Sequence, residues 1–152
     1  FGGMILIDGK IDQEWEEKMN AHYARIISIE NLYEQLKNQL MSMNAELIIK
    51  IIDGFYISIY NKFNLDNKDV LTNIKEQLGV FLEEYKDFYL YENDNSFAIL
   101  PNCLNKKFAV QYLIEKMNPI ITLGAGDNIS DLCFMNLCSF RFIPRKVPIK
   151  LL

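Results

Sequence analysis

Leu47-Ile48-Ile49-Lys50-Ile51-Ile52-Asp53-Gly54-Phe55-Tyr56-Ile57-Ser58-Ile59-Tyr60 reads as two β-strands joined by a two-residue turn. β-Branched and aromatic side chains fill both halves, as a pleated and half-buried surface favours. Asp53-Gly54 supplies residue types that tolerate the positive φ values of a tight hairpin. Alternation sends Phe55, Ile57 and Ile59 to one face, and Lys50, Tyr56, Ser58 and Tyr60 to the other. A hairpin with one apolar face needs a cover, so its flanks decide the architecture.

Upstream, Ile29, Leu32, Tyr33, Leu36, Leu40 and Met43 recur at helical spacing and predict a helix over residues 29–43. Downstream, Leu71, Ile74, Leu78, Phe81, Leu82 and Tyr85 predict another, with Asp66 or Asn67 as its N-cap. A second hairpin follows: residues 88–91, a polar Glu92-Asn93-Asp94-Asn95 turn, and residues 96–100. It adds Phe88, Leu90, Phe97 and Ile99 to the apolar face, and Tyr89 and Tyr91 to the other. The order helix, strand, strand, repeated once, builds an antiparallel sheet with both helices on one face. The tyrosine-bearing face is expected to stay open.

At the start, residues 4–7, the Asp8-Gly9 turn and Lys10-Ile11-Asp12 predict a small hairpin. The Glu-rich stretch after it is given no element. Trp15 is read as an anchor for the hairpin, and His22, the single histidine, as a surface or packing residue. After Pro101 the pattern changes: Val110, Leu113, Ile114 and Met117 mark a helix, 119–123 an apolar strand, and Gly124-Ala125-Gly126-Asp127 a turn. Residues 130–137 then read as a helix and 140–143 as a last strand. Strands alternating with helices imply a parallel layer. The expected fold class is therefore α/β, an α+β module (αββαββ) followed by part of a parallel α/β core.

The chain has 152 residues, half of them hydrophobic, enough to bury a sizeable core. A net charge of −4 and a pI near 5.0 give no basic field for a phosphate backbone, which argues against nucleic acid as a partner. No apolar run approaches the roughly 18 residues that span a bilayer, so no membrane partner is expected and the default address is cytoplasmic. Cys103, Cys133 and Cys138 are odd in number and lack CxxC spacing, which reads as reduced, mostly buried thiols. The opening Phe1-Gly2-Gly3, without an initiator methionine, reads as the start of a fragment.

The chemistry concentrates in Ile120-Ile121-Thr122-Leu123-Gly124-Ala125-Gly126-Asp127-Asn128-Ile129-Ser130-Asp131. A glycine-flanked turn at a strand end lets backbone approach a ligand closely. Asp127 and Asp131, with Asn128 and Ser130 between them, form a hard-oxygen cluster suited to magnesium. The same residues also suit plain helix capping, with Asp127 or Asn128 as the cap and Asp131 at the positive helix end. Spacing alone leaves both readings open.

Gly126-Asp127-Asn128-Ile129-Ser130-Asp131 followed by Leu132-Cys133-Phe134-Met135 resembles the fourth motif of haloacid dehalogenase phosphatases, although Ser130 stands where many relatives have asparagine. Upstream, Leu100-Pro101-Asn102-Cys103-Leu104-Asn105-Lys106-Lys107-Phe108 resembles their third motif, in which a lysine opens a helix. Lys106 aligns best with that lysine, and Lys107 occupies a position usually held by glycine. Without the acidic motif nearby, both lysines would read as solvated side chains of a first helical turn. Phe1-Gly2-Gly3-Met4 resembles a core strand entering a cap, and Phe142-Ile143-Pro144-Arg145 the strand and loop after the fourth motif. The helix-hairpin pair between them is similar to the cap of sugar-phosphate phosphatases, including those acting on sucrose phosphate.

The resemblance implies three segments: 1–12 as entry and hairpin, 13–100 as cap, and 101–152 as the C-terminal part of the hydrolase core. It implies a magnesium-dependent phosphatase that hydrolyses a sugar phosphate or similar small phosphorylated metabolite through an aspartyl-phosphate. Asp127 would hold Mg2+, Asp131 would be a second ligand or an orienting residue, and Lys106 would offset charge. Asn128, Lys50, Tyr56 and Tyr60 are the weaker candidates for substrate contact, the tyrosines offering flat apolar surface with a hydroxyl. The family's two-aspartate nucleophile motif is not found, since Asp8 is followed by its next aspartate only at Asp12. The nucleophile is therefore expected in a missing N-terminal core segment, which would also be a partner, and residues 1–152 alone are expected to be inactive. The alternative is a non-catalytic binding or assembly module of the same fold.

Overall fold

The computed structural model describes residues 1–40, 47–61, 68–93 and 96–144. It divides into two compact units, Phe1–Glu17 with Cys103–Leu152, and Lys18–Asn102. The chain opens with β1 (Leu6–Ile7) and β2 (Lys10–Ile11), antiparallel, with Leu6 opposite Ile11 and Ile7 opposite Lys10. Asp8 (φ 51°) and Gly9 (φ 75°) both take the left-handed conformation, as a two-residue hairpin turn with this twist requires. Asp12 then caps α1 (Gln13–Tyr23), its Oδ1 accepting from the Trp15 amide at 3.0 Å. This helix falls in the stretch to which the sequence reading gave no element.

In the Lys18–Asn102 unit, α2 (Ile29–Leu40) and α3 (Lys68–Leu82) cover one face of a four-stranded antiparallel sheet. Its strands are β3 (Leu47–Ile52), β4 (Tyr56–Asn61), β5 (Phe88–Asn93) and β6 (Ser96–Pro101), in the order β3-β4-β6-β5. Pairing sets Ile51, Ile57, Ile99 and Leu90 in one cross-strand row, and Ile49, Ile59 and Phe97 in the next. Against them Leu32, Leu36, Ile74 and Leu78 are buried. Each such side chain contributes about 1.5–3 kcal/mol of burial, so this interface dominates the unit's stability. Glu92 ends on the same face, where its carboxylate pairs with Lys75 of α3 at 2.6 Å.

Several local expectations shift. Phe55 lies in the turn rather than in β4, because its amide donates to Ile52 O across Asp53 (φ 49°) and Gly54 (φ 73°). Glu92 and Asn93 belong to β5, paired with Phe97 and Ser96, so the second turn is shorter than the four polar residues suggested. The face expected to be open is only partly so. Lys50 is exposed, Tyr56, Tyr60, Tyr89 and Tyr91 are half-buried, and Ala98 and Leu100 are buried. The register places Ala98 between Ser58 and Tyr91. The N-cap candidates Asp66 and Asn67, and Met43, lie outside the described residues.

The other unit carries α4 (Lys106–Met117), β7 (Leu123–Ala125), a 3-10 turn (Ile129–Asp131), α5 (Leu132–Met135) and β8 (Phe140–Phe142). β7 and β8 are parallel, with Leu123 opposite Phe140 and Ala125 opposite Phe142, as the alternating pattern implied. The strand expected over 119–123 sits at 123–125 instead, because only there does the chain pair with β8; Ile120 is 99% exposed. The helix expected over 130–137 is a 3-10 turn and one short helix. In α4 the buried positions are Ala109 and Tyr112, whereas Val110, Leu113 and Ile114 are half-buried and Met117 is exposed. Polar anchoring of Tyr112, not the apolar stripe, sets the rotation of this helix.

Candidate active site at the start of α4 and the end of β7

Asn105 precedes α4 in extended conformation (φ −142°, ψ 130°), and its side chain accepts from the Lys107 amide at 2.8 Å. This cap fixes the first helical turn and separates the two lysines. Lys107 is exposed, while Lys106 reaches inward and donates from Nζ to Asp131 Oδ1 at 2.5 Å. The ammonium also lies 5.9 Å from the Phe134 ring centroid, within cation–π range. Sequence alone left Lys106 and Lys107 both open, and the geometry picks Lys106 as the one joined to the acidic motif.

Asp131 is buried (5% exposed) and both of its oxygens are engaged. Oδ1 takes Lys106, and Oδ2 accepts from the backbone amides of Asp127 and Asn128, each at 3.3 Å. Burial pushes its carboxyl up, but the Lys106 hydrogen bond and charge, with the two amides, outweigh burial and hold it below the ordinary carboxylate range. Asn128 caps the 3-10 turn, its Oδ1 accepting from Ser130 N at 3.0 Å and Ser130 Oγ at 3.1 Å, in a reciprocal capping box with Asp131. The capping reading of this motif therefore holds for Asn128 and Asp131. Asp127 is different: it is exposed, and its carboxylate makes no hydrogen bond or ion pair with a described residue.

Gly126 explains why the loop can close on Asp131. A Cβ there would stand 2.4 Å from Asp131 Cβ, 2.8 Å from Met135 Sδ and 2.9 Å from Asp131 Oδ2. Gly2 is similarly close to α4, where a Cβ would meet Ala109 Cβ at 2.9 Å and Asn105 O at 3.1 Å. Lys106, Asp127, Asn128 and Asp131 are thus gathered around one strand end. Lys50, Tyr56 and Tyr60 form a group of their own on the sheet of the Lys18–Asn102 unit, with the Lys50 ammonium 5.7 Å from the Tyr60 ring.

Among the described residues no cluster of three or more histidine, cysteine or acidic side chains forms a metal cage. Magnesium does not need one, since it keeps several waters and is commonly held by one or two carboxylates plus substrate phosphate. Asp127, with a free hard-oxygen carboxylate, fits that pattern. Asp131, with both oxygens bonded, fits an orienting role better than a ligand's.

A second ionic cluster escaped the sequence reading. Asp12 accepts from Tyr112 OH at 2.8 Å and from Lys116 Nζ at 2.7 Å, and Lys116 also reaches Glu14 at 3.2 Å. Trp15 completes it, stacking on Tyr112 at 5.1 Å and donating to Gly2 O at 3.0 Å. The Lys116 hydrogen bond, then the Trp15 amide, hold the Asp12 carboxyl at about 2 against the opposing effect of desolvation, and Lys116 is raised in turn. The readable signals were Asp12 as a helix N-cap and Tyr112 with Lys116 on one helix face. The adjoining cleft, about 750 Å3 and lined by residues including Ile7, Lys10, Glu14 and Lys116, contains none of Lys106, Asp127 or Asp131.

No protein-family model and no curated protein sequence matches the chain. Solved structures do. A sucrose-phosphatase from Synechocystis, crystallised with sucrose and phosphate, is 21% identical with a TM-score of 0.60 over 89% of this chain and 52% of its own. A trehalose-6-phosphate phosphatase related protein is 12% identical with a TM-score of 0.61, covering 91% of this chain and 61% of its own. The Plasmodium falciparum IMP-nucleotidase is 14% identical with a TM-score of 0.52, covering 76% and 32%. The chain therefore spans about half the length of the sucrose-phosphatase. At these identities the likeness is one of fold: the chain has the fold of haloacid dehalogenase-like phosphatases, with an antiparallel cap-like module and part of a parallel core.

Proposed function

We propose that this chain carries the lysine- and acid-bearing part of a phosphate monoester hydrolase acting on a sugar phosphate or similar small phosphorylated metabolite. The observation that carries this reading is the Lys106–Asp131 pair, in which Asp131 joins the ammonium on one oxygen to the backbone amide of the exposed Asp127 on the other, at the end of a parallel strand. Ligands of open α/β sheets bind at the carboxyl ends of strands. In this reading 13–100 serve as cap, with the compact unit Lys18–Asn102 at its heart, and 1–12 with 101–152 belong to the hydrolase core.

The reaction splits into two displacements. An aspartate outside residues 1–152 attacks phosphorus and expels the alcohol, forming an acyl phosphate; water then attacks that phosphorus and regenerates the carboxylate. Lys106 offsets negative charge on the phosphoryl oxygens, and Asp131 fixes its position. Asp127 would hold Mg2+, which would supply neutralisation of phosphate charge. A segment joined at Phe1 would enter beside the first turn of α4, since Gly2 lies against Asn105 and Ala109. Lys50, Tyr56 and Tyr60 contact the sugar moiety, and Asn128 the phosphate side. No described helix is long and apolar enough to cross a membrane.

The test is phosphate release from sucrose 6-phosphate, trehalose 6-phosphate and IMP by the protein at its natural length, with magnesium or with chelator. We expect magnesium-dependent turnover of at least one sugar phosphate and none by residues 1–152 alone. The absence of release from any monoester by the natural-length protein contradicts the proposal and favours a non-catalytic binding module.

A further inference from the structure

We infer that Asp12 and Tyr112 are positioning residues for Lys106: the buried network of Asp12, Tyr112 and Lys116 locks the rotation of α4, and that rotation aims Lys106 at Asp131. The inference deepens the reading above, on which the role of Lys106 in the site rests. The network is a closed triangle. Asp12 accepts from Tyr112 OH on Oδ1 and from Lys116 Nζ on Oδ2, and Lys116 Nζ also donates to Tyr112 OH at 2.8 Å. Asp12 itself is held at the start of α1, where its Oδ1 takes the Trp15 amide, so α4 is tied to a fixed point outside its own helix. Asp12 and Tyr112 are each 7% exposed. Among the described residues no buried side-chain nitrogen or oxygen lacks a partner. A charged and fully satisfied network of this kind selects one arrangement, because another would leave a buried carboxylate unpaired.

The apolar pattern of α4 selects a different rotation. At about 100° per residue, Ala109, Tyr112 and Lys116 lie within about 60° of one another, and the stripe Val110, Leu113, Ile114 and Met117 centres about 120° further round. The hydrophobic effect alone would turn that stripe inward. Instead Ala109 and Tyr112 are buried, while three members of the stripe are half-buried and Met117 is 60% exposed. Lys106 opens the same helix and donates to Asp131 Oδ1 at 2.5 Å. A side-chain tip about 5 Å from the helix axis moves about 2.6 Å for a turn of about 30°, and about 9 Å for one of about 120°. Even the smaller turn parts the ammonium from Asp131. The Asn105 cap bonds within α4 and would turn with it, its reach outside the helix being a weak contact with the Cys133 thiol at 3.8 Å. The aim of Lys106 is therefore set from the Asp12 end.

In the protein at its natural length, with lysine side chains nitrogen-labelled, hydrogen exchange at the Lys106 ammonium reports its bond to Asp131 without reading chemistry. Tyr112→Phe keeps the ring on Trp15 and removes only the hydroxyl; Asp12→Asn keeps an acceptor for the Trp15 amide and removes the charge. The double variant should speed exchange at the Lys106 ammonium by about tenfold or more. Ile114→Ala, which loosens the apolar stripe but not the network, should leave it within about twofold. Unchanged exchange in the double variant overturns the inference, and so does an equal rise in Ile114→Ala, which would assign the effect to general loosening. Where the double variant does not fold, Tyr112→Phe alone decides by the same criteria. In turnover of a sugar phosphate, the double variant should lower kcat by about tenfold with KM within about twofold, and add nothing once Lys106→Ala is present. A further loss in the Lys106→Ala background overturns the positioning role. Faster Lys106 exchange in a protein that releases no phosphate would sink the hydrolase proposal and leave this one standing.

Discussion

Replacing Gly126 by alanine tests the geometry of the site without touching a charged group. The new Cβ would stand 2.4 Å from Asp131 Cβ and 2.8 Å from Met135 Sδ. Neither neighbour yields easily. Asp131 is tied by Lys106 and two backbone amides, and Met135 is fully buried. Overpacking of this kind costs about 1–3 kcal/mol, and with a urea dependence near 1 kcal/mol per molar for so small a unit, the midpoint should fall by about 1 M or more. Trp15 is the single tryptophan, buried, and belongs to the same compact unit as Gly126, so its fluorescence reports the relevant transition. Gly79→Ala is the control: it lies in the other compact unit, nothing stands within 4 Å of its Cβ, and it should leave the Trp15 transition in place. A Gly126→Ala protein whose Trp15 transition coincides with that of the wild type would refute the packing account of this loop.

Two further outcomes follow from the charged groups. The Asp12 carboxyl is held at about 2 against an ordinary 3.8, so its contribution to stability is complete above pH 4 and is lost as the pH falls through about 2. Asp12→Asn should lower the Trp15-monitored urea midpoint at neutral pH and flatten its decline between pH 4 and 2; an unchanged decline would remove Asp12 as its cause. Lys106→Ala strips Asp131 of its counter-charge while burial remains, so the Asp131 carboxyl should titrate at higher pH than in the wild type, and Lys107→Ala should leave it in place. Carboxyl carbon NMR titration distinguishes these outcomes, and a shift with Lys107→Ala alone would reverse the assignment of the two lysines.

The antiparallel module was legible because its signals are local. Asp53-Gly54 and Asp8-Gly9 specify turns by backbone conformation, and the alternation of Ile57, Ile59, Phe97 and Ile99 specifies which face is buried. α1 was not legible, because Glu14, Glu16 and Glu17 leave little apolar stripe and Trp15 and Met19 mark only one side. The rotation of α4 depends on a bond between Tyr112 and Asp12, 100 residues apart, which no periodicity records. In the run 119–123 hydrophobicity marked a strand, but pairing with β8 decides its register, and Pro119, Ile120 and Ile121 are left exposed. At the site, the spacing of Asp127 and Asp131 was compatible with capping as well as with metal binding. The structure separates them physically, giving Asp131 three donors and leaving the Asp127 carboxylate without a partner among the described residues.

That separation makes Asp127 the sharpest probe of the proposed function, since its side chain is exposed and bonded to no described residue. Removing it should leave the fold intact while removing the proposed magnesium ligand. The decisive measurement is kcat for phosphate release from a sugar phosphate by the natural-length protein and its Asp127→Ala variant, with the Trp15 urea transition as the check on folding. The expected result is a loss of about 100-fold or more, the scale seen when one electrostatic stabiliser of a reacting oxyanion is removed, with the urea midpoint unchanged. Turnover within about twofold of the wild type, well short of that scale, would contradict the assignment of this strand end as a phosphoryl-transfer site.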